Sequence, residues 1–154
     1  MSDLQLRKAW TSDVLSLHQI LMKLAGDGLL LPRPLVDLYR HVREFYVLHD
    51  KAGEIHGCCA LAVVWEDIAE IRSLAVRQEL RRQGHGKLLA EACMEEAVNM
   101  RIPRVFTLTY QTEFFGKLGF RVVEKDVLPN KVWADCIHCA KFPDCDETAM
   151  LVDL

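Results

Sequence analysis

Between Glu44 and Val76 three strand-like runs follow one another before any long helix begins. They read EFYVLHD, EIHGCCALAVVW and IAEIRSLAV, rich in β-branched and aromatic residues, and a turn at Lys51–Gly53 joins the first two. The best helical pattern, residues 84–100, comes next and closes at Arg101–Pro103. A doubly wound parallel sheet needs a crossover helix between successive strands, so three consecutive strands exclude it. A mixed α+β arrangement, one sheet with helices on its faces, is expected instead.

The flanking segments extend the pattern. LQLRKAW alternates as a first strand, and TSDVLSLHQILMKLAGDG reads as a helix. Thr11 or Ser12 is its expected cap, and Val14, Leu15, Leu17, Leu21, Met22 and Leu24 its apolar face. A short helix is expected from about Pro34. After residue 103 come a strand RVFTLTY, a short helix TEFFGKL, a strand FRVVEK and a closing strand TAMLVDL. The predicted order is β-α-α-β-β-β-α-β-α-β-β.

A chain of 154 residues suits one domain spanning 1–154, including a cysteine-containing segment at 128–146. The net charge of −3 gives no reason to expect nucleic acid. No run approaches about 20 apolar residues, so no membrane span is expected. The N-terminal MSDLQLRKAW lacks a basic-then-apolar leader, which makes a cytoplasmic protein the expectation. There, six cysteines are thiols or metal ligands rather than disulfides.

Gly84 and Gly86 open the long helix, although glycine in a helix costs about 1 kcal/mol against alanine. A helix N-terminus offers unpaired N–H groups and partial positive charge, and glycines let a ligand approach that backbone. Arg81, Arg82 and Lys87 add charge at the same end, so a pyrophosphate fits the pattern Arg81-Arg82-Gln83-Gly84-His85-Gly86. A glycine-bearing turn with a solvated basic face is the plainer alternative. The dinucleotide fingerprint fails because position 89 is Leu, and the P-loop fails because Leu88 follows Gly86-Lys87.

The stretch EIRSLAVRQELRRQGHGKLLAEA resembles the acetyl-coenzyme A motif of the GNAT acetyltransferases, R/Q-x-x-G-x-G/A, on Arg81, Gly84 and Gly86. FFGKLGF resembles the second motif of that superfamily. The resemblance implies a GNAT fold: a central, mostly antiparallel mixed sheet of six or seven strands, about four helices, and a splay between strands four and five. It implies acetyl-CoA as cosubstrate. Backbone amides of Arg82, Gln83, Gly84, His85, Gly86 and Lys87 would take the pyrophosphate. Leu74, Ala75 and Val76 would line the pantetheine arm, and Phe115 would lie beside the cofactor.

Acetyl transfer to an amine needs a base for the ammonium, a donor for the oxyanion and a proton for the leaving thiolate. By the resemblance, Glu70 stands where some GNAT enzymes carry the base; a surface carboxylate beside Arg72 is the alternative. A backbone N–H near Leu74–Val76 is the expected oxyanion donor. Many relatives carry Phe-Tyr where this chain has Phe114-Phe115, and Phe115 has no proton to give. Tyr110, water or His85 remain as acids.

Arg33, Arg72 and Lys131 are the candidate acceptor contacts, because an arginine fork reads a carboxylate and two or three cations suit a dicarboxylate; a plain surface charge is the alternative for each. Arg72 alternates with Glu70, so both point to one sheet face. The stretches LLLPRPLVDLYRHVREFYV, CCALAVVWEDIAEIRSLAV, VFTLTYQTEFFGKLGF and LPNKVWADCIHCAKFPDCDETAM resemble the short amino-acid N-acetyltransferases of bacterial arginine biosynthesis, the N-acetylglutamate synthase type. That resemblance implies L-glutamate as acceptor and a carboxylate role for Arg33, followed here by Pro34 where two-domain relatives have Ser. It also implies an arginine near the fourth helix, where this chain has Tyr110.

Cys136, Cys139 and Cys145 form C-x2-C-x5-C with His138 inside, which leaves a structural zinc site and a loop of free thiols both open. Cys58, Cys59 and Cys93 read as core residues. Two other functions remain alongside glutamate acetylation. One is acetylation of another amine, such as a protein N-terminus or lysine. The other is a non-catalytic acyl-CoA sensor or zinc-dependent interaction module. A homodimer is compatible with the sequence.

Overall fold

The computed structural model describes residues 3–26, 33–129 and 146–154. Its elements follow the predicted order: β1 (Gln5–Lys8), α1 (Val14–Gly26), α2 (Leu35–Arg40), β2 (Phe45–His49), β3 (Ile55–Trp65), β4 (Ile68–Val76), α3 (His85–Asn99), β5 (Arg104–Thr109), α4 (Thr112–Lys117), β6 (Arg121–Val122) and β7 (Thr148–Asp153). The seven strands form one sheet ordered β1-β2-β3-β4-β5-β7-β6. Every neighbouring pair is antiparallel except β4 and β5.

The continuous apolar run of β3 reflects burial on both faces. Successive side chains alternate, so Cys59 and Leu61 face Leu89, Cys93 and Ala97 of α3, while Cys58 and Ala60 face Val14, Leu17 and Leu21 of α1. All three predicted core cysteines are buried. Each fully buried leucine in these layers contributes about 1.5–3 kcal/mol of transfer free energy. A third cluster, Ile68, Phe106, Leu128, Ala149 and Leu151, fills the β5–β7 side.

Helix α3 buries Leu89, Ala90, Cys93 and Ala97, one stripe at helical spacing. It ends where Arg101 turns left-handed (φ 62) and the Ile102 N–H donates to the Ala97 carbonyl.

Three expectations are corrected. Neither Thr11 nor Ser12 caps α1; a 3-10 turn, Thr11–Asp13, precedes it, and the Asp13 carboxylate accepts from the Trp10 N–H (2.7 Å). Arg7 clamps the same carboxylate at 2.7 and 3.1 Å. Leu15 and Met22 face solvent, and Ile20 is buried instead, because the stripe at 14, 17, 20, 21 and 24 is the face turned to the sheet. Of the FRVVEK run only Arg121 and Val122 form a strand, paired with β7 at the sheet edge, and the Val123 N–H adds one bond to the Ala149 carbonyl. No helix among the described residues is long and apolar enough to cross a membrane.

Candidate active site

The site begins with a fork in the sheet. β4 and β5 pair in parallel only at Ile68–Arg104, Ala69–Val105 and Glu70–Phe106. Beyond Glu70 the two strands no longer pair with each other, although β4 runs on to Val76 and β5 to Thr109. At the apex the buried Thr107 hydroxyl donates to the Ile71 carbonyl at 2.9 Å. That carbonyl faces the fork and has lost its strand partner, so the hydroxyl satisfies it.

On its other edge β4 carries a bulge. Cys58 pairs with Ala75 and Ala60 with Arg72, so one residue of β3 spans two of β4, Ser73 and Leu74. Ser73 adopts φ 57, the left-handed region that costs a side-chain-bearing residue about 1–2 kcal/mol. The extra residue shifts the alternation. Ile71 packs in the α3 layer, and so do Leu74 and Val76, while Ala75 packs in the α1 layer. Leu74 and Val76 thus turn their side chains to one face of the sheet.

The loop after β4 answers for the two glycines separately. Gly84 has φ +86 and open space around it; it is needed for its conformation. Gly86 has no such constraint: a Cβ there would stand 3.4 Å from Cε1 of Phe114, an ordinary van der Waals contact, so its glycine keeps the backbone open beside that ring. Arg82 is left-handed too (φ 64). The first intrahelical bond of α3 runs from the Leu88 N–H to the Gly84 carbonyl, so the amides of His85, Gly86 and Lys87 lie ahead of it and have no helical acceptor. Side chains of Arg81, Arg82, Gln83 and Lys87 surround that mouth and are exposed. The His85 ring is turned inward, with Nδ1 donating to the Leu80 carbonyl at 3.1 Å, which braces the loop. Phe115 is core, edge-on between Phe114 and Phe120 with centroids 5.0 and 5.2 Å away. The half-buried ring at the mouth is that of Phe114, which sequence reasoning missed.

At the other end of β4 the acceptor candidates converge. Arg33 Nε pairs with Asp37 at 2.7 Å, Nη1 donates to Ser73 Oγ at 2.8 Å, and the guanidinium stands 5.3 Å from the Phe45 ring centre. Its remaining nitrogen, Nη2, is buried without a hydrogen-bond partner. Burial pushes the Asp37 carboxyl up, but the Arg33 hydrogen bond and the charges of Arg33, His41 and Arg72 more than offset it and hold it below the usual range. Arg72 lies 3.6 Å from Glu44 and 3.8 Å from Glu70, ion pairs longer than hydrogen bonds. The Glu70 carboxylate is half-buried beside the last β4–β5 pair. The Tyr110 hydroxyl, at the end of β5, donates to Asp146 at 2.6 Å.

Arg33, Arg72 and Glu70 are thus brought into one neighbourhood, and the loop amides into another along β4. Lys131, Cys136, Cys139, Cys145 and the zinc reading lie outside the described residues. Asp37, Ser73, Thr107 and Phe114 went unread in the sequence. The only signal for Asp37 was its i,i+4 spacing from Arg33.

A sheet forked between two parallel strands, with an amide-lined helix mouth behind the fork, defines a class: N-acyltransferases that lay a CoA thioester along the open strand edge. The chain belongs to the Acetyltransferase (GNAT) family, which its residues 15–120 match, and its acyl donor is acetyl-CoA. It is 41% identical over 157 residues to an uncharacterized N-acetyltransferase of Chlorobaculum tepidum, covering 99% of this chain and 98% of that one. An amino-acid acetyltransferase of Mycobacterium tuberculosis is 40% identical over 120 residues, 77% of this chain and 68% of the relative. Among solved structures, a Mycobacterium tuberculosis protein in complex with CoA and NLQ superposes with TM-score 0.84 at 34% identity, over 97% of this chain and 99% of that one. The N-acetylglutamate synthase of Neisseria gonorrhoeae, complexed with coenzyme A and N-acetyl-glutamate, superposes with TM-score 0.88 at 27% identity; this chain covers 36% of it.

Proposed function

We propose that the protein acetylates the α-amine of an amino acid, L-glutamate above others, and supplies N-acetylglutamate to arginine biosynthesis in the cytoplasm. The observation that carries the reading is Arg33: a mostly buried guanidinium, held by Asp37 and Ser73, with one N–H edge left unpaired. An orphaned buried donor of this kind costs free energy until an acceptor meets it, and a carboxylate is the matching acceptor. Arg72 stands nearby for a second carboxylate. The relatives named for amino-acid acetylation, and the N-acetyl-glutamate bound to the Neisseria enzyme, support the same reading.

The chemistry follows from placement. The pyrophosphate rests on the amides of 82–87, and the pantetheine arm runs along Leu74, Ala75 and Val76, which brings the thioester to the fork. Glu70, directly or through a water, takes a proton from the acceptor ammonium. The freed nitrogen attacks the thioester carbon, and a backbone N–H at the bulge, that of Leu74, receives the oxyanion. The nitrogen gives its second proton to solvent, the C–S bond breaks and the amide forms. Tyr110 protonates the departing thiolate and regains its proton from solvent.

Thiol release from acetyl-CoA, measured across glutamate, aspartate, glutamine, ornithine and a peptide amine, tests this. Glutamate is expected to give the highest kcat/KM. Arg33→Ala and Arg72→Ala are each expected to raise the glutamate KM about tenfold or more while leaving the acetyl-CoA KM within about twofold. A preference for a peptide amine or a polyamine would contradict the reading.

A further inference from the structure

Ser73 stands where the two halves of the site meet. Its backbone forms the left-handed turn of the β4 bulge (φ 57), the irregularity that sets Ser73 and Leu74 together opposite one residue of β3. Its hydroxyl accepts a 2.8 Å hydrogen bond from Arg33 Nη1. Its carbonyl accepts from the Cys58 thiol across the sheet at 3.4 Å. So the residue is pinned on three sides: by the strand, by a buried thiol on β3 and by the guanidinium on the α1–α2 connection.

The residue type is informative. At this φ glycine is the unstrained choice, and what serine adds is one hydroxyl. That hydroxyl is engaged with the guanidinium whose remaining nitrogen lacks a partner. Asp37 fixes Nε and Ser73 fixes Nη1, which leaves Nη2 as the edge presented to a ligand. Without Ser73 the guanidinium can rotate about its link to Asp37, and the position of that edge is lost.

We infer that Ser73 is a positioning residue that sets acceptor affinity: it orients Arg33 through its hydroxyl, and because it also turns the bulge, it ties the acceptor anchor to the strand edge that receives the thioester. The inference rests on Arg33 holding the acceptor carboxylate, as proposed above.

The test compares Ser73→Gly, Ser73→Ala, Arg33→Ala and the double variant Arg33→Ala/Ser73→Gly. Steady-state kinetics are measured with glutamate and acetyl-CoA, beside the melting temperature of each protein. Ser73→Gly keeps the backbone conformation and removes the hydroxyl. It is expected to raise the glutamate KM about tenfold, with kcat and the acetyl-CoA KM within about twofold of the parent. Ser73→Ala is expected to raise the glutamate KM at least as much, at a lower melting temperature. In the double variant the glutamate KM is expected to match that of Arg33→Ala alone, because the serine acts only through the arginine.

The inference is overturned if Ser73→Gly leaves the glutamate KM unchanged while Arg33→Ala raises it. It is equally overturned if the two substitutions add in full, or if both substrate KM values rise together. If Arg33→Ala itself leaves the glutamate KM unchanged, or the parent enzyme acetylates no amino acid, the reading of the acceptor site falls first and this one with it.

Discussion

At the scale of single residues, buried carboxylates and cations decide both stability and chemistry. Glu70 is the half-buried carboxylate nearest the fork, within reach of Arg72. Glu70→Gln removes the proposed base and keeps the shape. It is expected to lower kcat about 100-fold or more, with the acetyl-CoA KM nearly unchanged, in the same thiol-release assay. Asp13 is the structural counterpart. Burial raises its carboxyl, and the Arg7 and Trp10 hydrogen bonds and the Arg7 and His49 charges outweigh that, so it sits below its usual value of 3.8. A depressed folded-state value means the stabilisation is complete above about pH 4 and fades as pH falls through the folded value. Asp13→Asn is expected to lose about 1.5–3 kcal/mol at pH 7. The gap to the parent should close as denaturant titrations move from pH 5 toward pH 2. A gap that stays constant with pH would contradict the assignment.

At the scale of elements, the question raised by a helix opening on glycines has two different answers. Gly84 serves a positive φ in open space, so Gly84→Ala is expected to destabilise the turn by about 1–2 kcal/mol and to raise the acetyl-CoA KM. Gly86 lies inside the first turn against Phe114, where a methyl makes an ordinary van der Waals contact and adds helix propensity of about 1 kcal/mol. Gly86→Ala is expected to leave the melting temperature close to that of the parent. Paired melting curves and acetyl-CoA saturation curves check both. The order of strands and helices was legible in the chain because each rests on local period and turn chemistry. So was the pairing of Glu70 with Arg72 on one face. The bulge at Ser73–Leu74 was not legible: it arises from the register between β3 and β4 and from the Arg33 and Cys58 contacts, all long-range. The buried face of α1 was misjudged at Leu15 and Met22 because a helix with apolar residues on several sides does not reveal which side meets the sheet.

At the scale of the whole molecule, β3 and β4 form a shared axis. One helix layer, α1 and α2, leads to the proposed acceptor site through Arg33, and the other, α3, presents the proposed pyrophosphate-binding mouth. The bulge joins them in mid-strand, and the fork beside it is the proposed place of the thioester. The role of the site in amino-acid acetylation is tested most directly by competition. The enzyme is incubated with acetyl-CoA and an equimolar mixture of the twenty amino acids, and the products are identified by mass spectrometry. The account predicts N-acetylglutamate as the dominant product, reduced strongly in Arg33→Ala. A different acetylated amino acid in excess, or thiol release with no acetylated amino acid at all, would contradict it.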